Sequence, residues 1–146
     1  MFDLWSAVYH GVVYALLAGV VLVAAYYVLD LLTPGHLGRH LLGGPEAPPS
    51  ASAALVSSAW LLGNGAVLFT AIWTNGETSL GYALLWTLVF GVIGCALNSV
   101  MLLAIDAVTP GNLRAVICTP GAVLPLATVS AAATLAVSAI VCASIA

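Results

Sequence analysis

Charge is what this sequence lacks most. It contains no lysine, two arginines and five acidic residues, so that only 5% of its 146 residues are charged. An average soluble domain has about 25% charged residues, and this chain has too few to cover a surface that faces water. It also has no basic patch to neutralise phosphates, which excludes a nucleic-acid binder. The composition therefore excludes a soluble globular domain and predicts a lipid environment.

Enzyme motifs are lacking as well. We find no nucleophile with its base, no glycine-rich phosphate loop and no Cys/His metal cluster. The three cysteines, at 95, 118 and 142, show no Cys-x-x-Cys spacing. We therefore expect no enzyme, with no catalytic residues, no cofactor and no metal ligands. A bound lipid is the one small-molecule ligand that we do not exclude.

Long apolar runs are what the chain does have, because 63% of its residues are hydrophobic. Four runs reach the roughly 20 residues that a membrane-spanning helix needs: 7–32, 52–73, 80–105 and 123–146. Continuous runs lack the alternation that is typical of barrel strands, so they predict helices. The predicted fold class is an all-α integral membrane protein with four transmembrane helices.

A pattern that occurs twice suggests an internal duplication. The sequence D-x-x-T-P-G-x-L stands at 30–37 and again at 106–113, 76 residues later, and each copy ends a long apolar run. This predicts two tandem two-helix repeats, 1–74 and 75–146, within a single membrane domain. Since each repeat crosses the membrane twice, the repeats are parallel, with a pseudo-twofold axis along the membrane normal and both T-P-G loops on one side.

The two arginines, Arg39 and Arg114, both fall in these loops, at 33–51 and 109–120. Basic residues concentrate on the cytoplasmic side of membrane proteins. We therefore expect a multi-pass protein of the plasma membrane with both loops in the cytoplasm and both termini outside. The predicted outer side carries acidic residues only, Asp3 and Glu77.

The order of these features resembles a known family. A run that ends in L-T-P-G, a hydrophilic stretch and a small-residue-rich helix with Leu61-Leu62-Gly63 form one unit, which is then repeated. This arrangement is similar to the small bacterial inner-membrane proteins of the "domain of unknown function 350" family. The resemblance extends from about Tyr9 to Ala146. It implies a four-helix plasma-membrane protein and brings no established activity.

Asp30 and Asp106 lead the candidates for a polar or ion site, because an ionisable residue in a membrane span is costly. Both are expected near the cytoplasmic interface, and two roles stay open. Each carboxylate accepts hydrogen bonds from its own turn or pairs with the nearby arginine, or the two together form a cation or proton site. The residues expected to end the helices and turn the chain are Pro34, Gly35, Pro110 and Gly111.

Asn64 and Asn98 complete the candidate site, at comparable depths in the second and third spans. Asparagine side chains in lipid bond across helices, so we expect both to join helices. Asn64, which lies between two glycines, could instead line a polar pocket.

Weaker patterns concern the histidines and aromatics. His36 and His40 have the spacing of two metal ligands, but no third ligand is near, so we interpret them as a solvated pair. The aromatics of the spans are interpreted as packing, with lipid or quinone contact in an electron-transfer complex as an alternative; they are Tyr26, Tyr27 and Trp60.

Small residues crowd the fourth span from Ala127 to Ser144. They allow close helix packing, which predicts contacts with both its own bundle and another subunit. The functional hypothesis is a non-enzymatic scaffold or accessory subunit of a homo-oligomer or larger membrane complex, with lipids and other subunits as partners. The alternative is a small cation or proton channel or transporter subunit with Asp30 and Asp106 near a cytoplasmic mouth.

Overall fold

Six helices form most of the structure, a computed structural model that describes residues 4–45, 47–75 and 79–146. Within these residues no strand forms, and two isolated β-bridges are the only β-type pairing. The helices in chain order are α1 Leu4–Leu32, α2 Leu37–Leu42, α3 Ala51–Trp73, α4 Leu80–Val108, α5 Leu113–Ile117 and α6 Pro125–Ile145.

Four of these helices, α1, α3, α4 and α6, are long and apolar enough to cross a membrane. This confirms the predicted all-α membrane fold. Helices α1 and α4 each have 29 residues, a length of about 44 Å at 1.5 Å per residue. That exceeds the roughly 30 Å of a hydrocarbon core. Both helices therefore tilt or extend beyond the hydrocarbon core. Asp30 and Asp106 lie in their last turns.

Both long helices end two residues before a proline, at Leu32 and Val108. Proline has no amide hydrogen to donate and disfavours helical backbone in the residue before it. The glycines that follow, Gly35 and Gly111, have φ angles of +86° and +121°. Such angles suit glycine and let the chain turn back toward the bundle.

The two predicted loops, 33–51 and 109–120, are partly helical. Each contains a short helix, α2 or α5, whose first residue, Leu37 or Leu113, is fully buried. Helices of six and five residues are too short to show a hydrophobic period and too short to be stable alone. Burial of the first leucine holds each of them in place.

Helix α3 lies at the centre of the bundle and packs on α1, α4 and α6. Helix α6 packs on α3 and α4, and the described residues give α1 and α6 no comparable contact. The packing of α1 on α3 thus corresponds to that of α4 on α6, whereas the packing of α3 on α4 has no counterpart between α1 and α6. The duplication stays a prediction from the sequence.

Glycines on α3 and α4 allow these helices to approach their neighbours closely. A Cβ at Gly91 would lie 2.8 Å from Leu68 Cδ2, and a Cβ at Gly94 would lie 3.1 Å from Val67 Cγ1. A Cβ at Gly63 would overlap Ser138 Oγ on α6. The helices pack without space for one more methyl group at these contacts.

The segments that lead into α3 and α6 are joined to each other by backbone hydrogen bonds. The Ala51 amide donates to the Gly121 carbonyl at 3.0 Å, and the Gly121 amide donates to the Pro49 carbonyl at 3.2 Å. The Ser50 hydroxyl donates to the Ile117 carbonyl at 2.8 Å. These bonds hold the two loops together at one end of the bundle.

The packing of α3 on α6 predicts different effects for alanine at two glycines of α3. Gly63→Ala should lower the free energy of unfolding by about 1–3 kcal/mol, because the new methyl group overpacks the contact with Ser138. Gly65→Ala is the matched control, since a Cβ there meets nothing within 4 Å. The free energy of unfolding of both variants is measured in detergent micelles. Equal stabilities for the two variants would contradict the observed α3–α6 contact.

Candidate functional site

Each aspartate of the repeated pattern binds the last leucine of the same pattern. Asp30 Oδ1 accepts a hydrogen bond from the Leu37 amide at 2.5 Å, and Asp106 Oδ1 accepts one from the Leu113 amide at 2.8 Å. Each bond closes a T-P-G turn and satisfies an amide at the first residue of a short helix, which has no partner within the helix. Hydrogen bonding to the turn is therefore the role that the structure gives both carboxylates.

The second oxygens of the two carboxylates have different partners. Asp106 Oδ2 forms an ion pair with Arg114 Nε at 2.9 Å. Asp30 Oδ2 lies 3.9 Å from Nδ1 of His36, whose side chain is 74% exposed. Of the two arginine pairs considered from the sequence, the structure contains the Asp106 pair, whereas the first aspartate faces His36 and not Arg39.

The two carboxylates are held in separate turns. Asp30 is held by the Leu37 amide and faces His36, and Asp106 is held by the Leu113 amide and Arg114. A cavity of about 190 Å³ between the turns is lined by 31–34, Asn112 and Arg114, without either aspartate. The observed partners of each carboxylate thus lie within its own turn, and a shared cation or proton site stays a prediction from the sequence.

Asn64 and Asn98 are both fully buried, but only one of them joins two helices. Asn98 Nδ2 on α4 donates to Ser138 Oγ on α6 at 3.0 Å, whereas Asn64 Nδ2 donates to the Trp60 carbonyl of its own helix at 2.9 Å. Neither Oδ1 atom has a hydrogen-bond partner. Each such buried acceptor costs about 1–3 kcal/mol. Close contact of Gly63 with Ser138 places the two asparagines at the same level of the bundle.

Trp60 packs in the core, as expected, and also forms a hydrogen bond between helices that the sequence did not reveal. It is fully buried in α3, and its Nε1 donates to the Ala25 carbonyl of α1 at 2.9 Å. A buried indole cannot contact lipid or a quinone, which corrects that alternative for Trp60. Tyr26 is half-buried and forms an edge-to-face contact with the exposed Tyr27.

The predicted solvated histidine pair is placed around the first turn. His36 precedes α2, and His40 Nε2 lies 3.3 Å from the Pro34 carbonyl oxygen. In the part of the chain that the structure describes, no three His, Cys, Asp or Glu residues come together as a metal site. Burial raises the pKa of the nearby Cys118 thiol, so this thiol is protonated at neutral pH.

Arg39 and Arg114 lie in α2 and α5, at the end of the bundle where the two loops are joined. Three acidic residues that bear on the charge distribution, Asp3, Glu46 and Glu77, lie outside the described residues.

Fold and site together define an all-α protein with several membrane-spanning helices and a polar end built from two T-P-G turns. A family model described as "Domain of Unknown Function (DUF350)" matches residues 3–145, and the chain belongs to this family. No curated protein and no solved structure matches the chain.

Different partners for the two aspartates predict different coupling energies. In a double-mutant cycle of Asp106→Asn and Arg114→Gln, we expect a coupling of about 0.5–1 kcal/mol in the free energy of unfolding, since the asparagine keeps the bond to Leu113 and loses only the ion pair. The matched cycle of Asp30→Asn and His36→Gln should show almost none, since His36 Nδ1 lies 3.9 Å from Asp30 Oδ2 and its side chain is 74% exposed. Equal couplings in the two cycles would contradict the assigned partners.

Proposed function

We propose that this protein is a non-enzymatic scaffold or accessory subunit of a homo-oligomer or a larger membrane complex, without a cofactor. The outward face of α6 is the observation that carries the proposal. Four alanines there are exposed: Ala132, Ala136, Ala139 and Ala143. In lipid, small residues let the backbones of neighbouring helices approach closely. Helix α6 thus packs on α3 through one face of small residues and has a second face of small residues available to a partner.

Dense packing between the helices supports this role over transport. Gly91 and Gly94 of α4 lie against Leu68 and Val67 of α3 without space for a methyl group. The two aspartates are engaged in turns rather than in a shared mouth. Both observations favour a packed bundle over a pore within a single chain. A channel or transporter subunit is the alternative that the test below distinguishes.

We further infer two tandem repeats in a plasma-membrane protein with cytoplasmic loops and external termini. Support for the repeats comes from the matching bonds at 30–37 and 106–113 and from the equal lengths of α1 and α4. Support for the orientation comes from the joined loops, which hold Arg39 and Arg114 at one end of the bundle.

Fusion reporters at the C-terminus test the orientation. Alkaline phosphatase fused after Ala146 should be active, because this enzyme folds only outside the cytoplasm, and a green fluorescent protein at the same position should be dark. The reverse result would place the termini inside and the two arginines outside.

Substitution on the outward face of α6 tests the scaffold proposal. We expect native mass spectrometry of the full chain in mild detergent to show oligomers or a retained partner. Ala139→Phe should weaken association at least about tenfold, since it blocks close approach of helices. Val100→Phe, on the exposed face of α4, is the matched control and should have no effect. A monomer without partners would contradict the proposal, and ion flux in liposomes that is abolished by Asp30→Asn with Asp106→Asn would favour the transport alternative.

A further inference from the structure

Two buried asparagines lie at one level of the bundle, where α3, α4 and α6 meet. Val67 of α3 packs against Gly94 of α4, and these two consecutive spans run antiparallel. Asn64 lies one turn before Val67, and Asn98 lies one turn after Gly94, so both belong to the next level of the same helix contact. Asn64 is 1% exposed and Asn98 is 0% exposed, and neither Oδ1 atom has a hydrogen-bond partner.

The hydroxyl group of Ser138 on α6 is the third polar group at this level. It accepts the hydrogen bond from Asn98 Nδ2 at 3.0 Å and lies against Gly63 of α3. Two other buried hydroxyls of α6, those of Ser130 and Thr134, donate to carbonyls of their own helix. Ser138 donates to no residue that the structure describes. Among the described residues, this level therefore has two unpaired acceptors and one unpaired donor.

We propose that one water molecule binds at this level and joins α3, α4 and α6. Water donates two hydrogens and accepts through its oxygen, which matches the two Oδ1 atoms and the Ser138 hydroxyl. A buried water typically forms about three hydrogen bonds to polar groups that otherwise lack partners. Such a bridge removes the cost of two unpaired acceptors inside the membrane, where bulk water is absent.

The chemistry of this level favours water over a cation and over a direct bond between the amides. The two asparagines and Ser138 are uncharged, and a charge inside a membrane span is costly without a counter-charge. Each Nδ2 already donates elsewhere, that of Asn64 to the Trp60 carbonyl and that of Asn98 to Ser138. All three residues are at most 2% exposed, so a lipid headgroup cannot reach them. The site lies within one chain and does not depend on the scaffold role.

NMR spectroscopy of the full chain in detergent micelles, isotope-labelled at asparagine, detects the water directly. We expect nuclear Overhauser effects between water and the side-chain amides of Asn64 and Asn98, with the sign of a bound water. Rotating-frame spectra separate these effects from proton exchange. Side-chain amides that show no contact with water would overturn the proposal.

A variant of one asparagine tests whether the other depends on the same water. Asn98→Leu removes one of the three partners and should abolish the effect at Asn64. Thr87→Val is the matched control on α4 and should leave it unchanged, because the Thr87 hydroxyl donates to the Ala83 carbonyl of its own helix. The wild-type spectrum decides the proposal even where Asn98→Leu does not fold.

Unfolding in detergent measures whether the two asparagines are coupled. In a double-mutant cycle of Asn64→Leu and Asn98→Leu, we expect a coupling of about tenfold in the equilibrium constant of unfolding, because either single variant leaves the water one partner short. The matched cycle of Asn64→Leu and Thr87→Val should show no coupling. Independent effects of the two asparagines would overturn the proposal.

A change of salt separates water from a cation. Replacement of sodium chloride by choline chloride at constant ionic strength should leave the midpoint of thermal unfolding unchanged. A midpoint that rises with sodium or potassium in the wild type, but not in Asn64→Leu, would overturn the proposal in favour of a cation site.

Discussion

The hydrogen bond from a leucine amide to an aspartate carboxylate determines how each half of this molecule leaves the membrane. It joins the last helical turn of α1 or α4 to the first residue of the short helix that follows. Near hydrocarbon, water is scarce and a backbone amide without a partner is costly. A carboxylate satisfies the amide, and proline ends the long helix where the chain must turn. The aspartate is therefore retained for a bond within the chain, at a place where charge is otherwise avoided.

Once the turns are closed, the rest of the loop end of the bundle can be assembled on them. Leu37 and Leu113 are buried under the bundle, and the segments into α3 and α6 then meet side by side through Ala51 and Gly121. The loops are not independent connections, because each is anchored once to its own aspartate and once to the other loop. This arrangement gives a chain with few charges an ordered polar end.

The parts of this structure that the sequence predicts are those with a long or repeated signal. Four spans follow from runs of about 20 apolar residues, and the helix ends follow from the repeated T-P-G. The short helices α2 and α5 could not be predicted, because five or six residues show no period and depend on burial of their first leucine. The partner of Trp60 could not be predicted for a related reason, since its bond to Ala25 depends on the approach of two distant segments.

For the candidate site, the sequence predicts the positions of the two aspartates but not the side chains with which they pair. Asp30 and Asp106 occupy the same place in the pattern, and the sequence offers an arginine to each. In the first half His36 occupies the position that Asn112 has in the second. Asn112 accepts a hydrogen bond from the Ala115 amide, while Arg114 reaches Asp106. Arg39 lies one residue further along the chain than its counterpart, and on a helix one residue turns a side chain by about 100°. That rotation is consistent with Arg39 being exposed while Arg114 pairs with its aspartate, so a one-residue displacement decides which arginine joins its turn.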